Sequence, residues 1–230
     1  MNLTKQQLAD MIDHTLLKQY ISNAEMAKHC EEARQYGFHT VAINNALVRY
    51  AAQQLKGSGV LCDAAVSFPL GQSTIATKVY ETEDVILEGA GEVDYVVNLV
   101  EVKNKNWDYI RCEMQGIVEV CNKYQAVSKV IFETCYLTEE EKIMLCSIAK
   151  EVRPTFVKTS TGFGTGGARV EDVRLMRQHV GDAVQIKAAG GVRSAKEALD
   201  MIAAGATRIG TSCGIAILED YARMMERGEL

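Results

Sequence analysis

The chain has 230 residues, 47% of them hydrophobic and 24% charged, with a net charge of -5. That length and apolar content supply one sizeable core and exclude both a disordered chain and a small fold that must be stapled by disulfides. The charge is spread without a lysine or arginine run, which removes the electrostatic footprint of a nucleic-acid binder.

Short β-branched runs alternate with amphipathic stretches that end in glycine, the pattern of a parallel sheet with crossover helices. The first element is a short N-terminal helix opened by the capping box Thr4 to Gln7. Predicted strands then follow at Met11 to His14, His39 to Asn44, Val60 to Ser67, Glu92 to Asn98, Ser128 to Glu133, Thr155 to Thr159, Ala183 to Ala188 and Thr207 to Gly210. Further capping boxes at Ser22 to Glu25, Thr138 to Glu141 and Ser194 to Glu197 mark helix starts, and Gly37, Gly57, Gly89, Gly181 and Gly205 mark stops. The two prolines, Pro69 and Pro154, fall outside strand interiors, as a missing N–H requires. Eight strands favour a closed ring over an open flavodoxin-like sheet, so the expected architecture is α/β, a single TIM (β/α)₈ barrel over residues 1–230.

The seven cysteines are odd in number, lack C-x-x-C spacing and sit mostly in apolar stretches, so they read as reduced, buried thiols of a cytoplasmic protein. Met1-Asn2-Leu3-Thr4-Lys5-Gln6-Gln7 lacks the apolar run of a signal peptide, and nowhere do 18 apolar residues run together. Neither export nor membrane insertion is expected.

Barrel chemistry lies where strands end, so polar residues at the ends of apolar strands are the informative ones. Lys158 in Thr155-Phe156-Val157-Lys158-Thr159-Ser160 and Lys187 in Val184-Gln185-Ile186-Lys187-Ala188-Ala189 end neighbouring strands and are followed by glycine loops. Desolvation and a like charge both disfavour an ammonium, which can leave one lysine as the neutral amine that attacks a carbonyl. Strand alternation puts Asp94, Val96 and Asn98 on one face, where Asp94 could pair with Lys187; a purely structural ion pair is the alternative. Asp13 reaches the same region from the first strand, with a capping role fitting the spacing equally well. Glycine loops follow the last three strands: Gly162 to Gly167, Gly190-Gly191-Val192-Arg193 and Gly210 to Gly214. They would bring the backbone of Gly162, Gly190, Gly191 and Ser212, with Arg193 nearby, onto a phosphate. His14, His29, His39 and His179 show no H-x-H or H-x-x-x-H spacing and read as lone core or surface residues, so no metal and no cofactor is expected. Neither a P-loop nor a Rossmann fingerprint is present.

The segments Ile12-Asp13-His14-Thr15-Leu16-Leu17, Ser67-Phe68-Pro69-Leu70-Gly71, Glu92-Val93-Asp94, Phe156 to Phe163 and Lys187 to Arg193 closely resemble the deoxyribose-phosphate aldolase family, over about residues 8 to 215. The resemblance implies a class I aldolase that reversibly cleaves 2-deoxy-D-ribose 5-phosphate to acetaldehyde and D-glyceraldehyde 3-phosphate in deoxyribonucleotide catabolism. It also implies that Lys158 forms the Schiff base, Lys187 tunes it, Asp94 moves protons and Asp13 supports them. A small sugar phosphate is then the partner, with a homodimer or homotetramer compatible with the family. The chain departs from the usual pattern at Ala42, Asn45, Val100 and Glu101, which bears on substrate range. The alternatives are a Schiff-base barrel aldolase with a different aldehyde and a non-catalytic sugar-phosphate-binding barrel.

Overall fold

The computed structural model describes residues 3–229, so residues 1, 2 and 230 of the expected barrel stretch lie outside the described residues. Eight parallel strands close in chain order: β1 (Ile12–Leu16), β2 (Thr40–Asn44), β3 (Leu61–Val66), β4 (Glu92–Val96), β5 (Val127–Ile131), β6 (Phe156–Lys158), β7 (Gln185–Ala189) and β8 (Arg208–Thr211). Closure comes from β8 pairing with β1, Asp13 opposite Gly210 and His14 opposite Thr211. The flavodoxin-like alternative is therefore excluded, since an open sheet leaves two edges.

Strand ends differ from expectation for local reasons. β1 continues past His14 because Thr15 and Leu16 pair with Ala42 and Ile43. β7 begins at Gln185 and runs to Ala189, because Gly181–Ala183 forms a 3₁₀ turn instead of a strand. Ser67 and Glu133, expected inside strands, turn left-handed at φ 48° and 54° and end β3 and β5 early. Asn98 lies beyond β4, where its side chain accepts from the N–H of Val100 at 3.1 Å and caps the helix that follows.

The helices are α1 (Lys5–Ala9), α2 (Asn23–Tyr36), α3 (Val48–Leu55), α4 (Ile75–Leu87), α5 (Leu99–Lys103), α6 (Trp107–Lys123), α7 (Glu139–Val152), α8 (Val170–Val180), α9 (Ala195–Ala203) and α10 (Gly214–Glu226). All four expected capping boxes form, at α1, α2, α7 and α9. Gly37 stops α2 in the left-handed conformation (φ 66°, ψ 42°), which glycine adopts without a Cβ penalty. On α6 the buried residues Ile110, Met114, Ile117, Val118 and Cys121 recur at helical spacing and form one stripe toward the sheet.

Strand alternation separates two environments. Outward residues such as Val41, Ile43, Val66, Val93, Val157 and Ile186 join the helix stripes in a continuous apolar core. The inward positions alternating with them are largely polar or charged. Among the cysteines, Cys30, Cys62, Cys121 and Cys146 are buried as expected, but Cys112 is exposed and Cys135 and Cys213 are partly so. Cys112 lies on α6 beside its buried stripe, not within it.

One ion pair crosses the apolar layer. Lys78 on α4 donates to Glu113 on α6 and to the Val96 carbonyl, both at 2.6 Å, and Glu113 accepts from the Asn98 N–H at 3.1 Å. Both side chains are fully buried, and burial pushes the lysine down and the carboxyl up despite their attraction. Desolvation therefore outweighs the pairing, and the pair holds the end of β4 in place at some cost in stability. Lys78→Met should destabilise the protein by about 3–5 kcal/mol, because Glu113 is left buried and uncompensated. Adding Glu113→Leu should recover much of that loss in urea unfolding, whereas additive losses would show that the two groups do not act as a pair.

Candidate active site

The inward charges form one ring system. Asp13 comes from β1, Asp63 from β3, Glu92 and Asp94 from β4, Lys129 from β5, Lys158 from β6, Lys187 from β7 and Arg208 from β8, all of them buried. Strand register makes neighbours of Asp63 and Glu92, Asp94 and Lys129, Lys158 and Lys187, and Lys187 and Arg208. No isolated charge survives such burial, so each must find opposite charge within the barrel.

Lys187 Nζ meets Asp13 Oδ2 at 2.5 Å, Asp63 Oδ2 at 2.9 Å and Asp94 Oδ2 at 2.7 Å. Lys129 Nζ lies 2.9 Å from Asp63 Oδ1, 2.7 Å from Glu92 Oε2 and 2.9 Å from Asp94 Oδ1. Lys129 is thus caged by three carboxylates at ion-pair distance. Arg208 Nη1 bridges Asp13 Oδ1 at 2.7 Å and Glu92 Oε2 at 2.9 Å, with its guanidinium 5.0 Å from the Phe156 ring centre. Lys158 Nζ has one carboxylate contact among the described residues, Asp94 Oδ2 at 2.5 Å.

This difference in partners drives the two lysines in opposite directions. Burial alone would lower both, but the three carboxylates around Lys187 overcome it and hold that ammonium above its ordinary value. For Lys158, burial together with the positive charge of Lys187 outweighs Asp94, and its pKa falls. Burial would raise Asp94, yet Lys129, Lys158 and Lys187 hold it well below the usual carboxylate range. Asp63 goes the other way: burial and the charge on Asp94 lift it to about 6 against Lys129 and Lys187.

Lys158 also faces space. A cavity of about 290 Å³ is bounded by Lys158, by Thr15 near the end of β1 and Lys18 just after it, and by the loops after β6, β7 and β8, including Phe163. Lys158 retains 4% exposure there, while Lys187 behind it has none. Phe68 lies 6.0 Å from Lys158 Nζ and meets Phe163 edge to face at 5.4 Å, giving the amine an apolar wall. Glycine is needed where the loops cross: a Cβ on Gly167 would stand 2.2 Å from the Gly190 carbonyl oxygen, which accepts from the Ala168 N–H at 2.8 Å. Glu133 fastens the β6 loop, accepting from the Thr161 N–H at 3.1 Å and from the Thr161 hydroxyl.

The structure brings every sequence-derived candidate together. Lys158, Lys187, Asp94 and Asp13 belong to the ring, and Gly162, Gly190, Gly191, Arg193 and Ser212 line the cavity. A capping role for Asp13 gives way to its pairing with Lys187 and Arg208. Asp94 does not choose Lys187 over Lys158, as both share one oxygen. Asp63, Glu92, Lys129 and Arg208 were not singled out from the sequence, although each is a charge at an inward register in a strand with apolar neighbours. Ala42 lies inside the barrel beside Asp63, and Asn45 donates to Glu81 at 2.5 Å. Val100 and Glu101, expected beside the site, open α5 and do not line the cavity.

Among the described residues, two clusters offer three ligand atoms within 4.8 Å of one another: Asp13, Asp63 and Glu92, and His14, His29 and Glu32. The first already holds the ring cations. In the second the histidines are not lone residues, as spacing suggested, but a stack on the helix side of β1 with centroids 3.9 Å apart. Burial holds both near a pKa of about 4 and so neutral. His29 Nε2 lies 3.0 Å from the His14 carbonyl oxygen, while His14 Nε2 and His29 Nδ1 lie 3.2 Å and 4.0 Å from one Glu32 oxygen.

A profile of DeoC/LacD family aldolases matches residues 8–220. Deoxyribose-phosphate aldolase of Lactobacillus acidophilus is 50% identical over 219 residues, covering 95% of this chain and 92% of that protein. The enzyme of the same name from Bacteroides thetaiotaomicron is 51% identical over 223 residues, 97% of this chain and 94% of that one. Among solved structures, the tetrameric deoxyribose phosphate aldolase of Aeropyrum pernix superposes with a TM-score of 0.89 at 29% identity, over 96% of this chain and 93% of its own.

Proposed function

The chain belongs to the DeoC/LacD family of aldolases, and we propose that it is a class I enzyme reversibly cleaving 2-deoxy-D-ribose 5-phosphate to acetaldehyde and D-glyceraldehyde 3-phosphate in deoxyribonucleotide catabolism. The observation that carries this reading is Lys158: a buried lysine of lowered pKa, one carboxylate away from Lys187, and the ring's one contact with the cavity.

The neutral amine of Lys158 attacks the aldehyde carbon of the open-chain sugar, and loss of water gives a protonated imine. That cation draws the electron pair of the C2–C3 bond as the C3 hydroxyl loses its proton, releasing glyceraldehyde 3-phosphate and leaving an enamine. Protonation of the enamine at C2 and hydrolysis free acetaldehyde and restore Lys158. Asp94, 2.5 Å from Lys158 Nζ, is the group placed to accept and return protons at that nitrogen, with Asp13 supporting Lys187 behind it. The backbone of Gly162, Gly190, Gly191 and Ser212 would take the phosphate, with Arg193 and Lys18 adding charge at the rim.

We assign residues 1–230 to one barrel domain acting in the cytoplasm as a homodimer or homotetramer, without a metal or other cofactor. Among the described residues no helix is long and apolar enough to cross a membrane, and the A. pernix relative is tetrameric.

Activity should survive EDTA, and borohydride added with the deoxyribose phosphate should inactivate the enzyme with a reduced adduct mapped to Lys158. An adduct on another lysine, or loss of activity on chelation, would contradict the Schiff-base reading. Free deoxyribose should show a kcat/KM lower by about 100-fold or more, since phosphate binding holds the carbonyl at the amine. Equal values for the two sugars would remove the phosphate from the loops after β6, β7 and β8.

A further inference from the structure

The ring's charge count sets a condition on Lys158. Asp13, Asp63, Glu92 and Asp94 face Lys129, Lys158, Lys187 and Arg208, four against four when all are ionised. A nucleophilic Lys158 has given up its proton, which leaves four carboxylates facing three cations in a nearly closed space. Unless one carboxylate takes a proton, the excess negative charge draws one back to the amine.

The contacts single out Asp63. Asp13 shares Arg208 and Lys187, Glu92 shares Arg208 and Lys129 with His39 3.1 Å from its other oxygen, and Asp94 has three lysines. Asp63 has only Lys129 and Lys187, and Asp94 competes for both: Lys187 joins the Oδ2 atoms of the two aspartates and Lys129 joins their Oδ1 atoms. Asp63 is faced by Asp13 from β1, by uncharged Ala42 from β2, by Glu92 and Asp94 from β4, by Lys129 from β5, by Lys158 from β6 and by Lys187 from β7. Behind it, Cys62 stays a neutral thiol because burial raises it. Asp63 is also the one carboxylate of the four lifted, to about 6, while Asp13, Glu92 and Asp94 are lowered.

We propose that Asp63 is a positioning residue for the Schiff-base lysine: by holding a proton it balances three carboxylates against Lys129, Lys187 and Arg208, and so keeps Lys158 an unprotonated amine. The inference rests on Lys158 being the nucleophile. The proton count closes within the ring. Lys158 gives a proton to Asp94 Oδ2 across 2.5 Å, Lys187 gives one to Asp63 Oδ2 across 2.9 Å, and Asp94 returns its proton to Lys187 across 2.7 Å. Lys187 and Asp94 end as they began, and one proton has moved from Lys158 to Asp63.

Asp63→Asn fixes the neutral state at that position. Asp63 is already uncharged where Lys158 is an amine, so the pH of half-maximal trapping at Lys158, measured with acetaldehyde and cyanoborohydride, should stay within about half a unit of the unmutated protein's, whereas a carboxylate at that position would hold it up. In the unmutated protein, the infrared carbonyl band of a buried carboxylic acid should be present at the neutral pH where Lys158 is trapped, and the variant should lack it. A midpoint lowered by a unit or more, or the same band in the variant, overturns the role of Asp63 while leaving the adduct at Lys158 in place. Absence of any Lys158 adduct in the unmutated protein overturns the underlying reading instead. Should the variant fail to fold, the infrared spectrum of the unmutated protein decides, and the absence of the band at neutral pH overturns the proposal.

Discussion

Charge inside a closed parallel barrel has nowhere to go, and the rest of this structure follows from how that charge is matched. Water would ordinarily carry the cost of four carboxylates and four cations, but here eight strands exclude it, so each group depends on its neighbours across the lumen. Stability alone favours apolar layers in such an interior, as buried ion pairs rarely repay their desolvation. The apolar core outside the sheet, between strands and helices, is what holds the fold, which leaves the interior free to be reactive.

Reactivity then comes from an uneven distribution of partners. Lys158 and Lys187 are register neighbours on adjacent strands, with similar burial and opposite fates. Three carboxylates hold the pKa of Lys187 up; one carboxylate is too little to keep that of Lys158 from falling. The charged neighbour adds repulsion to desolvation, and the cavity gives the resulting amine access to a carbonyl. Asp94 is a weak counter-ion for Lys158 despite its closeness, because Lys129 and Lys187 divide its charge.

The sequence is informative wherever the deciding interaction is local. Capping boxes at Thr4, Ser22, Thr138 and Ser194 need four consecutive residues, and all of them form. Lys158, Lys187, Asp94 and Asp13 stand out because each interrupts or ends an apolar run, and the glycine loops because they follow strands. Pairings set by register do not show in this way: Arg208 meets Asp13 across 195 positions and Lys187 meets Asp63 across 124. Asp63 and Lys129 lie inside strands and Glu92 and Arg208 open theirs, so the search of the ends at which apolar strands finish passes over them. The His14 and His29 stack likewise joins a strand to a helix, outside any short metal-ligand spacing. The strand boundaries fail where backbone geometry overrides composition, as at left-handed Glu133 and the 3₁₀ turn before β7.

The central claim is that Lys158 is an amine at neutral pH because it is desolvated beside a charged Lys187. Its titration can be followed directly through the ε-carbon resonance of isotopically labelled lysine, assigned by comparison with Lys158→Met. The midpoint should lie clearly below the ordinary lysine value of about 10.4 and move upward in Lys187→Met, where the repelling charge is gone and Asp94 is freer to hold the ammonium. A midpoint at the ordinary value in the unmutated protein, or one that does not move in Lys187→Met, would contradict the account.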